Sequence, residues 1–181
     1  MIDKDNDSYL SINGRDIYIL GRITNEIVGK TINAISSMES ISSITPIQIF
    51  INSSGGDTDA GISLITMMKY CNADIYTHCI GVCEDIAMLI FISGDKRYIS
   101  RYSSLVINGF DISPKFSIQE KPIILRENRY YGSKQQKALI LQENSKYEQV
   151  ADLKQIISTN YKFIYFPEKA IEYGFADKYM K

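Results

Sequence analysis

The sequence predicts a single α/β domain, and two observations carry this prediction. Short apolar segments with strand character alternate along the chain with segments whose apolar residues recur at helical spacing. The strand at Ile47–Ile51 is dense enough in apolar residues to be buried on both faces, which is typical of parallel sheets. The alternation indicates parallel strand pairs joined by right-handed crossovers, with residues 1–181 as one domain.

The first half of the chain holds two strand–helix units. A short strand at Ile17–Leu20 precedes a helix at Asn25–Met38, and the Ser-rich stretch Ser36–Thr45 predicts a loop. A polar, glycine-containing segment ends the strand Ile47–Ile51, after which Asp57–Asp59 can cap a second helix. The apolar face of that helix is expected to comprise Ile62, Ile65, Met67 and Met68.

The middle of the chain predicts a strand that leads into a central helix. Ile75–Val82 has strand character, and the residues of Asp85–Ser93 that follow it are almost all apolar. A helix without a polar face is buried, so we expect this one at the centre of the domain. Shorter strands are expected at Tyr98–Ile99 and Ser104–Ile107, and near the C-terminus a helix with Gly174 as its C-cap precedes a last strand.

A long charged arm, at about residues 110–158, precedes the C-terminal helix. Residues 123–158 are expected to be mostly helical, with Gly132 as a kink and a turn near Asn144. Apolar positions there are too sparse to bury the arm fully in its own core. We therefore expect it to project from the domain and to pack against another chain.

Composition excludes several classes of function. The net charge of −1 gives no field for nucleic acid or an anionic membrane, and the longest wholly apolar run, Ile86–Ile92, is far short of a membrane span. The acidic, polar start of the chain predicts neither a signal nor a transit peptide. With three cysteines and one histidine, we expect reduced thiols and neither a metal nor a cofactor.

Four motifs together resemble one peptidase family: Ile49–Gly56, Ala60-Gly61, Cys79–Gly81 and Glu172–Asp177. The resemblance is to the caseinolytic protease proteolytic subunits, the ClpP family, and covers nearly the whole chain. It implies a ClpP/crotonase-like fold of stacked ββα units with a protruding strand–helix handle, and heptameric rings that enclose a proteolytic chamber. It also implies hydrolysis by a serine nucleophile, a histidine base and an aspartate that orients the histidine.

The catalytic positions implied by the resemblance hold other residues in this chain. The nucleophile position falls on Asp85 and the general-base position on Asn108. The position of the orienting acid falls on Lys162 or, after a small shift of the alignment, on Asn160 or Ile157. An asparagine cannot accept and return a proton near neutral pH, and a lysine would repel an imidazolium. The sequence therefore predicts a degenerate triad.

The remaining polar groups admit several interpretations. The backbone of Gly55 and Gly56, with the amide of Ile86, is expected to be a vestigial oxyanion hole, next to a carboxylate that would compete with any oxyanion. His78, the only histidine, is expected to be a half-buried strand residue. There are three further alternatives. Cys83 could be a substitute nucleophile, the paired glycines could bind a phosphate, or the chain could be an enzyme that acts on acyl-coenzyme A.

Acidic residues near the nucleophile position have two interpretations. In one they form a carboxylate pair for acid–base hydrolysis or a divalent-metal site. In the other, the first two cap one helix and the last caps the next. The residues are Asp57, Asp59, Glu84 and Asp85.

The sequence as a whole predicts a non-catalytic subunit similar to the ClpR proteins of plastids and cyanobacteria. It would form a heptameric ring, alone or with an active ClpP-type paralogue, that shapes the chamber and docks an AAA+ unfoldase. An excess of Ile, Asn, Lys and Tyr indicates AT-rich coding and favours a plastid-type organelle such as an apicoplast. The alternative is a weakly active hydrolase that uses Asp85 as an acid, a base or a metal-assisted group.

Overall fold

A mostly parallel sheet forms the centre of the computed structural model, which describes residues 8–109, 133–149, 155–156 and 159–180. The described strands are β1 (Ser8–Asn13), β2 (Asp16–Gly21), β3 (Ile47–Ser53), β4 (Ile75–Glu84), β5 (Lys96–Ile99), β6 (Ser104–Asn108), β7 (Lys162–Tyr165) and β8 (Lys178–Tyr179). They are ordered β1-β2-β3-β4-β5-β8, and β6 joins β4 and β7 beside this path. Among them, β1 with β2 and β6 with β7 are antiparallel pairs.

Helices cover the sheet, and one of them lies entirely inside. The described α-helices are α1 (Asn25–Ile41), α2 (Thr58–Tyr70), α3 (Ile86–Ile92), α4 (residues 133–143) and α5 (Pro167–Glu172). Every residue of α3 is buried, which confirms the predicted central helix. Burying one large apolar side chain contributes about 1.5–3 kcal/mol, so α3 anchors the core. Within the described part of the chain, no helix combines the length and the apolar character of a membrane span.

Strand β4 changes its partner halfway along. Tyr76–Cys79 pairs with β5, whereas Val82–Glu84 pairs with β6. A bulge separates the two parts, and the side chain of Asn52 fills it, with Oδ1 accepting a hydrogen bond from Val82 N at 2.9 Å. A Cβ on Gly81 would lie only 2.4 Å from the same oxygen, so a residue without a side chain fits this bend. The bulge thus directs the end of β4 toward β6.

The predicted α/β fold is confirmed, with local corrections. The predicted loop Ser36–Thr45 is wrong in its first part, because α1 continues to Ile41. Strand β3 is fully buried on one face only, since Gln48 and Phe50 on the other face are half-buried. Strands β1 and β7 are additions to the prediction, since their partly exposed residues give no clear sequence pattern.

Residues 133–143 confirm a helix in the charged arm, and the predicted turn at Asn144 follows it. One face of α4 joins the domain core through Ala138 and Leu141, while Leu139 is 52% exposed. The described helix of the arm is therefore partly buried in its own domain, and the packing of the arm against another chain stays a prediction. The predicted kink at Gly132 lies outside the described residues.

Candidate functional site at the Asp85 turn

Asp85 lies at a sharp turn between β4 and α3, and we call Glu84–Ile86 the Asp85 turn. With φ 50° and ψ −114°, it is the one non-glycine residue of the described chain with positive φ. Such a conformation costs about 1–3 kcal/mol and persists only where its surroundings enforce it. Here the Asp85 amide donates to Val106 O at 2.7 Å, and its carbonyl accepts from Leu89 N at 3.1 Å. A strained strand-to-helix turn of this type displays its side chain, as nucleophile turns of hydrolases do.

The displayed carboxylate of Asp85 forms an ion pair. Nζ of Lys137, on α4, lies 2.9 Å from both Oδ1 and Oδ2 of Asp85. The two side chains are mostly buried, with 13% of the lysine and 23% of the aspartate exposed. Asp85 occupies the N-cap position of α3, yet its side chain makes no capping hydrogen bond. The prediction that Asp85 caps this helix is therefore correct for its position and wrong for its side chain.

A second ion pair lies beside the first. Nζ of Lys162 is 2.8 Å from Oε1 of Glu84, and Lys162 faces Asn108 across the β6–β7 pair. No hydrogen bond joins the side chains of Asp85, Asn108 and Lys162 to one another. The structure thus places the three predicted positions around the ends of β4 and β6, with Asp85 and Lys162 each paired to a residue outside the predicted triad. Asn160 precedes β7, and Ile157 lies outside the described residues.

Gly55 packs directly against the Asp85 turn. A Cβ at this position would lie 2.9 Å from the carbonyl oxygen of Glu84 and 3.5 Å from Cβ of Asp85. Its φ of 90° also favours glycine. The amide of Gly55 donates to Oγ of Ser53 at 3.1 Å, so this donor is already engaged.

The amide of the neighbouring Gly56 is not used in the contact with Ile23. Ile23 forms a parallel bridge opposite Gly56, using the carbonyl of Gly55 and the amide of Asp57. In a parallel bridge the central residue directs its own N–H away from that partner. The amides of Gly56 and Ile86 are therefore the donors that remain for the predicted vestigial oxyanion hole.

The site is thus a strained strand-to-helix turn with a charged residue in the displayed position, and comparison with known proteins places the chain in a family. A family model described as Clp protease matches residues 3–181. The chain belongs to the Clp protease family. Relatives in this family are named as proteolytic subunits, and the family is one of serine peptidases. The resemblance found in the sequence is thereby confirmed.

Individual relatives align with part of the chain. The proteolytic subunit 2 of Treponema denticola is 35% identical over 86 residues, which are 48% of this chain and 43% of the relative. The chloroplastic proteolytic subunit 3 of Arabidopsis thaliana is 27% identical over 122 residues, 66% of this chain and 40% of the relative. The chain thus spans less than half the length of the curated relatives it matches.

A solved structure extends the likeness to the fold. A ClpP1 mutant from Listeria monocytogenes aligns with a TM-score of 0.77 and 22% identity, covering 93% of this chain and 92% of that one. At this identity the likeness concerns the fold. It confirms the predicted Clp protease architecture of an α/β core.

His78 of this Clp protease family member lies in the part of β4 that pairs with β5, whereas the Asp85 turn follows the part that pairs with β6. Its ring is stacked between Phe50 and Tyr98, with centroid separations of 4.4 and 4.9 Å. Its Nε2 lies 2.7 Å from Oε1 of Gln48. Burial lowers the pKa of His78 to about 4, so the ring is neutral at pH 7. The predicted half-buried strand residue is confirmed.

The acidic residues do not gather into a metal site. Asp57 caps α2, with Oδ1 accepting from Ala60 N at 3.0 Å and Oδ2 from Nδ2 of Asn25 at 3.1 Å. Asp59 lies in the first turn of α2. No group of three or more potential ligands among His, Cys, Asp and Glu is found in the described residues. The capping interpretation is therefore confirmed for Asp57, whereas the divalent-metal interpretation finds no ligand group of that size in the described part of the chain.

Two ion pairs at the site have no counterpart in the sequence prediction. The pairs Asp85–Lys137 and Glu84–Lys162 become visible only in the fold, because the partners are far apart along the chain. Lys137 belongs to a basic stretch that otherwise indicates a solvated helix face. An acid at a strained turn, where an unpaired charge would be costly, is the one signal that calls for a basic partner.

Proposed function

We propose that this chain is a non-catalytic, ClpR-type subunit of an ATP-dependent Clp protease complex. The observation that supports this most directly is the Asp85–Lys137 pair on an intact strand-to-helix turn. In the family the turn would present a serine, and here it presents a carboxylate already bound by an ammonium group. The frame of a peptidase is kept, and its displayed side chain is engaged in a structural contact.

The chemistry of the site supports the same proposal. A carboxylate held by a lysine is a poor nucleophile toward a peptide carbonyl, because attack would break the ion pair. Asn108 supplies no proton acceptor, and His78 is occupied in a stack on another part of the sheet. Residual catalysis would depend on the amides of Gly56 and Ile86 alone.

The proposed role is structural, in a ring of family members. By its family resemblance the chain would assemble into a heptameric ring, alone or with an active ClpP-type paralogue, and contribute to docking of an AAA+ Clp unfoldase. The arm, residues 110–158, would serve as the handle within one domain of residues 1–181. A plastid-type organelle is the proposed compartment, because one relative carries a chloroplastic name, whereas other relatives are bacterial.

The test is a peptidase assay on purified protein with a short fluorogenic peptide, run beside an active Clp protease subunit. We expect no turnover from the wild-type chain or from Asp85→Ala. Turnover that is present in the wild type, lost in Asp85→Ala and unaffected by removing contaminating protease would contradict the proposal. That outcome would instead support the weak hydrolase, and a chelator would tell whether it uses a metal.

Assembly needs a separate measurement. Native mass spectrometry of the chain, alone and mixed with an active ClpP-type subunit, should give a seven-subunit species in at least one case. A monomer in both samples at micromolar concentration would contradict the structural role while leaving the absence of peptidase activity untouched.

A further inference from the structure

The bulge in β4 shortens the distance between two cysteines. In a regular strand, residues four positions apart are separated by about 13 Å. Here Cys79 pairs with Ile51 and Cys83 pairs with Ser53, so four steps along β4 match two steps along β3. Two steps along a strand span about 6.6 Å, so the register brings the Cα atoms of the two cysteines to roughly that separation.

The two thiols share one side of the strand. Cys79 and Cys83 are both fully buried and face the core, whereas Ile80 and Val82 between them point outward. Sγ of Cys79 lies 3.6 Å from the carbonyl oxygen of Gly81, the residue at the middle of the bulge.

The thiols also interact with each other. The neighbouring Cys83 thiol lowers the pKa of the Cys79 thiol, whereas burial raises the pKa of the Cys83 thiol. The pair is therefore asymmetric, with Cys79 as the better nucleophile. The separation of about 6.6 Å lies at the long end of the range of about 4.4–6.8 Å that a disulfide allows, so a small tightening of the bulge brings the pair to the usual separation of about 5.5–6 Å.

We propose that Cys79 and Cys83 are a redox pair that oxidises to an intrastrand disulfide across the bulge. With hydrogen peroxide as oxidant, the Cys79 thiol loses its proton and the thiolate attacks one oxygen. The O–O bond breaks, and the departing hydroxide takes up that proton, so a sulfenic acid and one water form. The Cys83 sulfur then attacks the sulfenic sulfur, its proton leaves with the departing hydroxide as a second water, and the S–S bond forms. Two thiols are oxidised and one peroxide is reduced.

The location gives this disulfide a structural consequence. Cys83 lies two positions before Asp85, in the part of β4 that pairs with β6. Tightening the bulge would draw the end of β4 away from that pairing and toward the Cys79 side. Oxidation is therefore expected to alter the Asp85 turn, whether or not the chain has catalytic activity.

The experiment uses the full chain carrying Cys71→Ser, because Cys71 is the one other thiol. The folded protein is treated with hydrogen peroxide, then unfolded, and its thiols are counted with a maleimide by intact mass. We expect the count to fall from two to zero with the loss of two hydrogens from a monomeric chain, and dithiothreitol to restore both thiols. Oxidation should be slow, since both thiols are buried.

A matched variant and a second condition make the test decisive. Cys71→Ser with Cys83→Ala has one thiol and should show no loss of two hydrogens. Two labelled thiols after every exposure of the folded protein would overturn the proposal, as would a disulfide that forms only in urea. If Cys71→Ser fails to fold, the wild type with Cys71, the half-buried thiol, alkylated in advance replaces it.

Discussion

The two parts of β4 are stabilised in different ways. The part that pairs with β5 is regular and carries a stack of rings on its outer face, Tyr18, Phe50, His78 and Tyr98. The part that pairs with β6 ends in the strained Asp85 turn, where Asp85 and Glu84 bind lysines from α4 and β7. Dispersion and apolar burial stabilise the first part, whereas charge pairing with distant segments stabilises the second. A single strand thus joins a region stabilised by stacked rings to a region stabilised by ion pairs with distant segments.

The largest effect is expected at the Asp85–Lys137 pair. Lys137→Met removes the ammonium and leaves a mostly buried carboxylate without its partner, which should lower the free energy of unfolding by about 2–3 kcal/mol. Urea denaturation of the variant and the wild type measures this difference.

Asp85→Asn with Lys137→Met is the matched control. The double variant removes both charges, so it should recover part of the loss, and asparagine tolerates the positive φ. A loss in the double variant equal to the sum of the single losses would show that the pair is not coupled.

The bulge between the two parts of β4 provides the second test. Gly81→Ala places a Cβ 2.4 Å from Oδ1 of Asn52, which must move and give up its hydrogen bond to Val82 N. We expect a loss of about 1–2 kcal/mol by thermal or urea denaturation. Gly29→Ala is the control: it lies in α1 with nothing within 4 Å of the new Cβ, so it should stabilise by about 0.5–1 kcal/mol. Equal effects at the two glycines would refute this account of the bulge.

The ring stack predicts a dependence of stability on pH. Burial lowers the pKa of His78 from 6.5 to about 4, so the unfolded chain binds the proton more readily than the folded one. The contribution of neutral His78 to the free energy of unfolding is fully present above pH 6.5 and is lost as the pH falls toward 4. Because the ring is half-buried, we expect about 1 kcal/mol over this range. His78→Phe keeps the stack and should flatten this part of the profile in urea titrations; an unchanged slope would exclude His78 as its source.

The smallest effect is expected at the neighbouring Glu84–Lys162 pair. The Lys162 side chain is 52% exposed, so solvent screens the interaction. Lys162→Met should change the free energy of unfolding by less than about 0.5 kcal/mol, well below the effect of Lys137→Met in the same denaturation series. A comparable loss in the two variants would show that the difference in burial does not make one ion pair stronger than the other.

The sequence is sufficient to predict the elements of the core, and it is insufficient to predict the ion pairs at the Asp85 turn. Apolar spacing predicts β3, β4 and the buried helix α3, because strand and helix periods are local properties. The family motifs place Asp85 and Asn108 in one region, since the fold aligns the ends of β4 and β6. The contact with Lys137 could not be predicted, because it joins residues 52 positions apart through tertiary packing. The bulge has only Gly81 as a sequence signal, and a lone glycine does not determine a register.

The ion pair at the Asp85 turn also restricts how this chain can change over evolutionary time. Replacing Asp85 alone with a neutral residue leaves Lys137 without its partner, although its side chain is only 13% exposed. Replacing Lys137 alone leaves the carboxylate without its partner. Each single substitution therefore gives a less stable protein, whereas replacing both residues need not lower the free energy of unfolding as much. The pair therefore couples the two positions: a neutral side chain at the turn keeps the stability of the chain only if position 137 changes as well, in a separate part of the gene.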